Sequence, residues 1–205
     1  MFLRPFTVWL SVAIVTTFLA PSAFAQDPPP NPRVLVETSE GDFEIELFRD
    51  RVPATVVNFL IYVRDGYYNG TVFHRVLRNM LIQGGGFVVG DDDLLAPKNE
   101  GLRGPIINQA SRLLQHTAGT IAMARGSDPD SARQQFFINI DSNLDFNFKT
   151  PLPDGIGSAV FGRVTEGMNV VRDIGRTRTG NHGPLTDVPR EPVIIESITR
   201  IEVPN

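Results

Sequence analysis

Phe43, Ile45 and Leu47 alternate with Glu44 and Glu46, the period of a strand with one face in water. Val34-Leu35-Val36-Glu37-Thr38 precedes them across Ser39-Glu40-Gly41-Asp42, so residues 34–47 predict a strand, a tight turn and a second strand. The period lengthens after Val52-Pro53. Val56, Val57, Phe59, Leu60 and Val63 form a helical stripe, with proline tolerated in the first turn and Gly66 as the stop. Short apolar runs predict further strands over residues 71–77, 80–84, 119–124, 135–140, 158–164 and 193–203, and a second short helix over residues 167–174. Residues 85–117 read as one long polar loop and residues 175–192 as another. No repeat or heptad is present. Many short strands with two helices indicate an antiparallel barrel or sandwich.

The first 25 residues follow a different rule. Arg4 supplies a positive start, residues 8–19 are largely apolar, and Ala23-Phe24-Ala25 fits a small-x-small cleavage pattern. That apolar run is shorter than the roughly 20 residues a membrane-spanning helix needs. The expectation is a signal peptide over residues 1–25, cleaved before Gln26, and a periplasmic or secreted protein without stable membrane association; a retained anchor is the alternative. Residues 26–32, Gln-Asp-Pro-Pro-Pro-Asn-Pro, read as an extended linker, and residues 33–205 as one domain.

The chain of 205 residues carries a net charge of −4, and losing Arg4, the one charged residue among residues 1–25, makes it −5. Such a balance disfavours nucleic acid and anionic membranes as partners. With no cysteine, disulfides, thiol nucleophiles and thiolate-bound zinc are excluded. Asp91-Asp92-Asp93 lacks the calcium-loop spacing and reads as an exposed acidic loop. Gly84-Gly85-Gly86 has no following Lys-Ser/Thr and is no phosphate loop, and Asn69-Gly70-Thr71, a formal glycosylation acceptor, reads as a turn. No Gly-x-Ser-x-Gly elbow supports a hydrolase. No metal or cofactor is expected, and the chain reads as a monomer.

The chemistry concentrates in four apolar runs: Phe73-His74-Arg75-Val76, Ile82-Gln83-Gly84-Gly85-Gly86-Phe87, Gly119-Thr120-Ile121-Ala122-Met123-Ala124-Arg125 and Gln135-Phe136-Phe137-Ile138-Asn139. Together they describe an apolar wall bearing a guanidinium and an amide, suited to a neutral, ring-shaped, hydrogen-bonding group such as a prolyl amide. In this order and spacing, from about Arg33 to Val203, the sequence resembles the cyclophilin family of peptidyl-prolyl cis-trans isomerases. The resemblance implies a closed antiparallel β-barrel of about eight strands, all-β but for two helices capping the barrel ends, with the substrate in a groove on the outside. It implies isomerisation of X-Pro bonds in proline-containing polypeptides, assisting the folding of exported proteins. The alternative is a proline-binding, chaperone-like module with little turnover.

By the same resemblance Arg75, Gln83 and Phe137 are the catalytic set. Arg75 corresponds to the arginine of Phe-His-Arg, Gln83 to the amide that holds it, and Phe137 to the prolyl-pocket aromatic. Met80, Leu81, Ala124, Gln135 and Leu144 correspond to substrate-contacting positions. Phe136 must point to the opposite face from Phe137 and belongs to the core. His74, next to Arg75, reads as a satisfied barrel histidine. The sequence departs from the family where Met80 replaces a phenylalanine, Leu81 a methionine, Asn143 a tryptophan and Ser158 a histidine. These departures imply weak sensitivity to the family's cyclic-peptide inhibitor, partly restored by Asn143→Trp.

Overall fold

The computed structural model describes residues 30–90 and 94–202. The expected signal peptide, residues 26–29 of the expected linker and the Asp91-Asp92-Asp93 segment lie outside the described residues. Eleven strands are present among these residues: β1 Arg33–Thr38, β2 Phe43–Leu47, β3 Thr71–Leu77, β4 Leu81–Val89, β5 Leu95–Pro97, β6 Thr120–Met123, β7 Phe136–Asn139, β8 Val160–Glu166, β9 Thr179–His182, β10 Leu185–Pro189 and β11 Ile194–Ile201. Two α-helices, α1 Pro53–Arg64 and α2 Met168–Ile174, complete the fold among the described residues.

The main sheet runs β3-β11-β1-β2-β8-β6-β7-β4, and a β3–β4 pairing closes it into an eight-stranded antiparallel barrel. Strand β5 adds an edge to β4, and β9 and β10 form a separate hairpin. Closure leaves no free edge among the eight. The interior is filled by side chains from every wall, among them Val34, Ile45, Phe73, Ile82, Ile121, Phe136, Phe161 and Ile195. Val56, Phe59, Tyr62 and Val63 of α1 and Val171 and Ile174 of α2 enter the same cluster. Strand β2 keeps its strict alternation, with Glu44 and Glu46 on the wetter face.

Helix α1 starts at Pro53 and ends before Gly66, whose φ of +65° suits glycine. Its buried face is shifted from the expected stripe: Tyr62 is fully buried, whereas Val57 is 44% exposed. Residues 85–117 are not one loop. Strand β4 passes through Gly85, at φ +81°, and resumes as Phe87-Val88-Val89, which pairs with β5. Residues 175–192 likewise hold the β9–β10 hairpin, turned at Gly183. At residues 67–70 the chain turns as expected, and Thr71 is fully buried with its hydroxyl donating to the Tyr68 carbonyl at 2.6 Å.

Candidate active site

One row of side chains crosses the outer face of the barrel. Arg75 on β3 lies opposite Gln83 on β4, Gln83 opposite Phe137 on β7, Phe137 opposite Ala122 on β6, and Ala122 opposite Val160 on β8. Neighbouring strands lie about 4.8 Å apart, so Arg75 and Phe137 are separated by roughly 10 Å, the span of a prolyl ring with its flanking amides. Their sequence neighbours Val76, Ile82, Phe136 and Ile138 point inward.

Simple alternation does not place Arg75 outside, because Phe73 and Val76 both face the interior. The β3–β4 register shifts between Phe73 and Arg75, leaving His74 as the extra residue of a bulge. Such insertions re-aim side chains. This one turns Arg75 outward and places His74 against Phe87, 4.5 Å between ring centroids.

Arg75 is half-buried and makes no ion pair or side-chain hydrogen bond among the described residues. A guanidinium carries five donors and keeps its proton at any working pH. Gln83 donates through Nε2 to Gln135 Oε1 at 3.0 Å, which leaves its own carbonyl oxygen available. Gln135 is set in turn by Tyr68, whose hydroxyl donates to the Gln134 carbonyl at 2.8 Å, and by the bond from the Ala124 amide to the Gln135 carbonyl at 2.9 Å. Gly86 lies directly beneath it, and a Cβ there would overlap the Gln135 amide. Gly86→Ala is expected to displace Gln135 and Gln83, costing about 1–3 kcal/mol by overpacking and lowering activity at least severalfold. A thermal melt with a parallel activity assay checks both effects; unchanged activity would show that the Gln83–Gln135 bond is dispensable.

The apolar part of the groove is a second cluster outside the barrel: Leu81, Ala122, Phe137 and Val160, packed by Leu77, Met80, Leu114, Ala124 and Phe146. Of the residues singled out in the sequence, Met80, Leu81, Ala124 and Phe137 meet here, with Gln83 and Gln135 at its polar border. Leu144 does not join them. It stands 54% exposed on the 3-10 turn Leu144–Phe146, and Phe146, two residues on, is the wall residue, 5.6 Å from Phe137 in an edge-on contact.

Asn143 is not a vacant aromatic position. Its Nδ2 donates to the Met80 carbonyl at 2.9 Å, to Asn139 Oδ1 at 2.8 Å and to the Asp141 carbonyl at 3.2 Å. Asn143→Trp therefore removes the bonds that tie Met80 to β7. Sequence reasoning also missed His116. Its ring is fully buried and stacks on Phe137 at 5.6 Å and 10°. The one signal available was its place three residues before Gly119, where a polar ring heads an apolar run.

His74 is buried, 4% exposed, and its Nδ1 has no hydrogen-bond partner among the described residues, so it is not the satisfied histidine expected from the sequence. Burial is the main cause holding its pKa down at about 4, helped by the Arg75 charge and opposed by polar contacts to the Val72 backbone and Gln135. Burial also lowers the pKa of His116. Both rings take up protons more readily in the unfolded chain, so they leave stability untouched above about pH 6.5 and erode it as the pH falls from there. His74 alone is expected to cost up to about 3 kcal/mol at pH 4. Denaturant melts between pH 7 and 4 check this, and His74→Gln should flatten part of the slope.

Comparison with known proteins agrees with this geometry. The family described as "Cyclophilin type peptidyl-prolyl cis-trans isomerase/CLD" matches residues 33–200. Peptidyl-prolyl cis-trans isomerase B of Escherichia coli is 46% identical over 166 residues, 81% of this chain and 98% of that protein. A peptidyl-prolyl cis-trans isomerase of Acinetobacter baylyi is 44% identical over 187 residues, 91% of this chain and 93% of that protein. Among solved structures, a Cryptosporidium parvum cyclophilin type peptidyl-prolyl cis-trans isomerase shares the fold with a TM-score of 0.68 at 23% identity, covering 85% of this chain and 99% of that one. A closed eight-stranded barrel, a row of guanidinium, amide and phenyl groups on its outer face, and a family match over nearly the whole described domain lead to one placement: the chain belongs to the cyclophilin-type peptidyl-prolyl cis-trans isomerases.

Proposed function

We propose that the outer groove accelerates the exchange of X-Pro peptide bonds in exposed proline-containing segments. Amide rotation faces a barrier of about 18–20 kcal/mol because the nitrogen lone pair is shared with the carbonyl, and X-Pro bonds exchange over tens to hundreds of seconds unaided. No bond is made or broken, so the task is to favour the twisted amide. In that state the prolyl nitrogen regains its lone pair and accepts a hydrogen bond it cannot accept when planar. A donor aimed there binds the transition state better than the ground state.

Arg75 is that donor. Gln83 takes a neighbouring amide of the substrate, and Phe137 with Met80, Leu81 and Phe146 encloses the prolyl ring. The observation that carries this reading is the half-buried Arg75, unpaired among the described residues and in register with Gln83 and Phe137. No proton moves, so the rate is expected to be flat between about pH 6 and 8. The test is a coupled assay of cis-to-trans exchange on a short X-Pro peptide. Acceleration that depends on Arg75 supports the reading; binding without acceleration would instead identify a proline-holding module.

The Arg4 start, short apolar run and Ala23-x-Ala25 pattern support export, with newly translocated proteins as clients. Mass spectrometry of the natively produced protein is expected to find Gln26 as the first residue. Retention of residues 1–25 in the membrane fraction would overturn this.

A further inference from the structure

A chain of side-chain amides, half-buried at Asn143 and fully buried at Asn139, runs from Met80 to His116, and its hydrogen-bond polarity is fixed from one end to the other. The Met80 and Asp141 carbonyls can only accept, so the group of Asn143 that meets them is its NH2. The same NH2 reaches Asn139 at 2.8 Å, which must therefore present its oxygen. The Asn139 NH2 is thereby turned to the other side, toward Thr120 Oγ1 at 2.9 Å, the Thr120 carbonyl at 3.2 Å and His116 Nδ1 at 3.2 Å. Facing a donor, Nδ1 must accept, so the imidazole proton sits on Nε2, which donates to the Ser158 carbonyl at 3.1 Å. A proton on Nδ1 would set donor against donor. Relieving that clash would require reversing both amides against two carbonyls that cannot donate.

We propose that Asn139 is a positioning residue for the isomerase reaction: its amide fixes which nitrogen of His116 carries the proton, and so holds the imidazole as the flat support on which Phe137 stacks. The inference rests on the isomerase reading of the groove and adds to it a residue that touches no substrate. Asn139 and His116 are both fully buried. The groups packed on the ring are uncharged: Phe137 from β7, Phe146 from the 3-10 turn, the Asn139 amide and the Ser158 carbonyl. Asn147 Oδ1 takes the His116 backbone amide at 2.8 Å. The charged residues of the neighbouring segment, Asp141, Asp145 and Lys149, are exposed. Burial is the main cause holding the pKa of the ring down. The arrangement also links the two sides of the prolyl pocket, since the Met80 carbonyl anchors one end and Phe137 rests on the other.

The test is Asn139→Asp, an isosteric change that replaces the NH2 by an acceptor and so favours a proton on His116 Nδ1. Imidazole ¹⁵N NMR of the parent should show the Nε2–H form from pH 6 to 8. In the variant the His116 titration should move up into that range. The variant's kcat/KM should become pH-dependent with the same midpoint and fall by roughly tenfold on the acid side, mostly through KM, as a displaced pocket support requires. Adding His116→Gln should abolish the new pH dependence. A merely structural Asn139 would lower activity equally at all pH values, and that result, or a His116 titration that the rate ignores, overturns the proposal. If Asn139→Asp does not fold, acid titration of the parent decides: the Phe137 ring signals should shift with the His116 midpoint, and their failure to do so overturns it. Absence of isomerase activity in the parent at every pH would count against the isomerase reading alone, because the proton position and its coupling to Phe137 are read by NMR.

Discussion

Arg75→Ala is expected to lower kcat for a short X-Pro peptide by about 10- to 150-fold, with peptide affinity falling much less. A hydrogen bond from a charged donor contributes about 1.5–3 kcal/mol, and each 1.36 kcal/mol of transition-state stabilisation is a factor of ten in rate. The structure adds a reason to expect the fold to be indifferent. Arg75 is half-buried and bonded to no carboxylate among the described residues, so its removal orphans no partner. Stability should change by no more than about 0.5 kcal/mol, as for a surface substitution. Arg75→Lys should not rescue turnover, because a point charge on a flexible stem lacks the planar fork that spans nitrogen and carbonyl together. Stopped-flow exchange kinetics, a peptide-binding titration and a thermal melt on the same preparations separate the three quantities. Full activity of Arg75→Ala, or a parent rate that follows a histidine-like titration, would remove this mechanism.

The fold was legible wherever burial is one-sided. Strand β2 announces itself by strict alternation, and α1 by a proline start, an apolar stripe and a glycine stop, because a half-buried element must sort its residues by face. What escaped was structure whose residues are not sorted. Thr179-Gly180-Asn181-His182 forms β9 in a two-stranded hairpin without an apolar run, so the sequence carries no period to read. Strand β4 was cut short at Gly84, since three consecutive glycines resemble a stop; in the barrel they let the strand pass close to Phe73, Tyr68 and Gln135.

The candidate site divides in the same way. Arg75, Gln83 and Phe137 were recognised through motif resemblance, and the strand register places them in one row. Their periodicity would have misplaced Arg75, because the His74 bulge shifts the phase of β3. The supports His116 and Phe146 lie 21 and 9 positions from Phe137 and share no local pattern with it, whereas Asn139, two positions on, shares its strand and its face. Only the pairing of β6 with β7 and the turn after Asn143 bring His116 and Phe146 to them. Asn143 shows the limit of matching by position: seen as a missing aromatic, it is a structural amide with three acceptors.

Phe136→Ala and Phe137→Ala should separate stability from function across a single peptide bond. Phe136 is fully buried and meets Phe59, Tyr68 and Phe73 edge-on, with ring centroids 5.7, 5.5 and 6.1 Å away. Its truncation leaves a cavity in the closed barrel interior, enclosed by strands that cannot collapse without breaking their ladders. The expected cost is about 3–5 kcal/mol, or roughly 6–20 °C in melting temperature for a domain of this size. That is a large part of the 5–15 kcal/mol a domain typically has. The folded fraction of this variant should keep its catalytic constants, because Arg75, Gln83 and Phe137 lie on the opposite face. Phe137 is 6% exposed and packs outside the barrel against His116 and Phe146. The space it leaves opens to the groove and fills with water, so its stability cost should be clearly smaller. Its catalytic cost should be larger and should fall on binding and turnover together, since the ring shapes the pocket in both the ground and the twisted state. Melting curves and exchange kinetics of the two variants decide the matter. If Phe137→Ala kept full kcat/KM, the prolyl pocket would have to be sought elsewhere on the barrel.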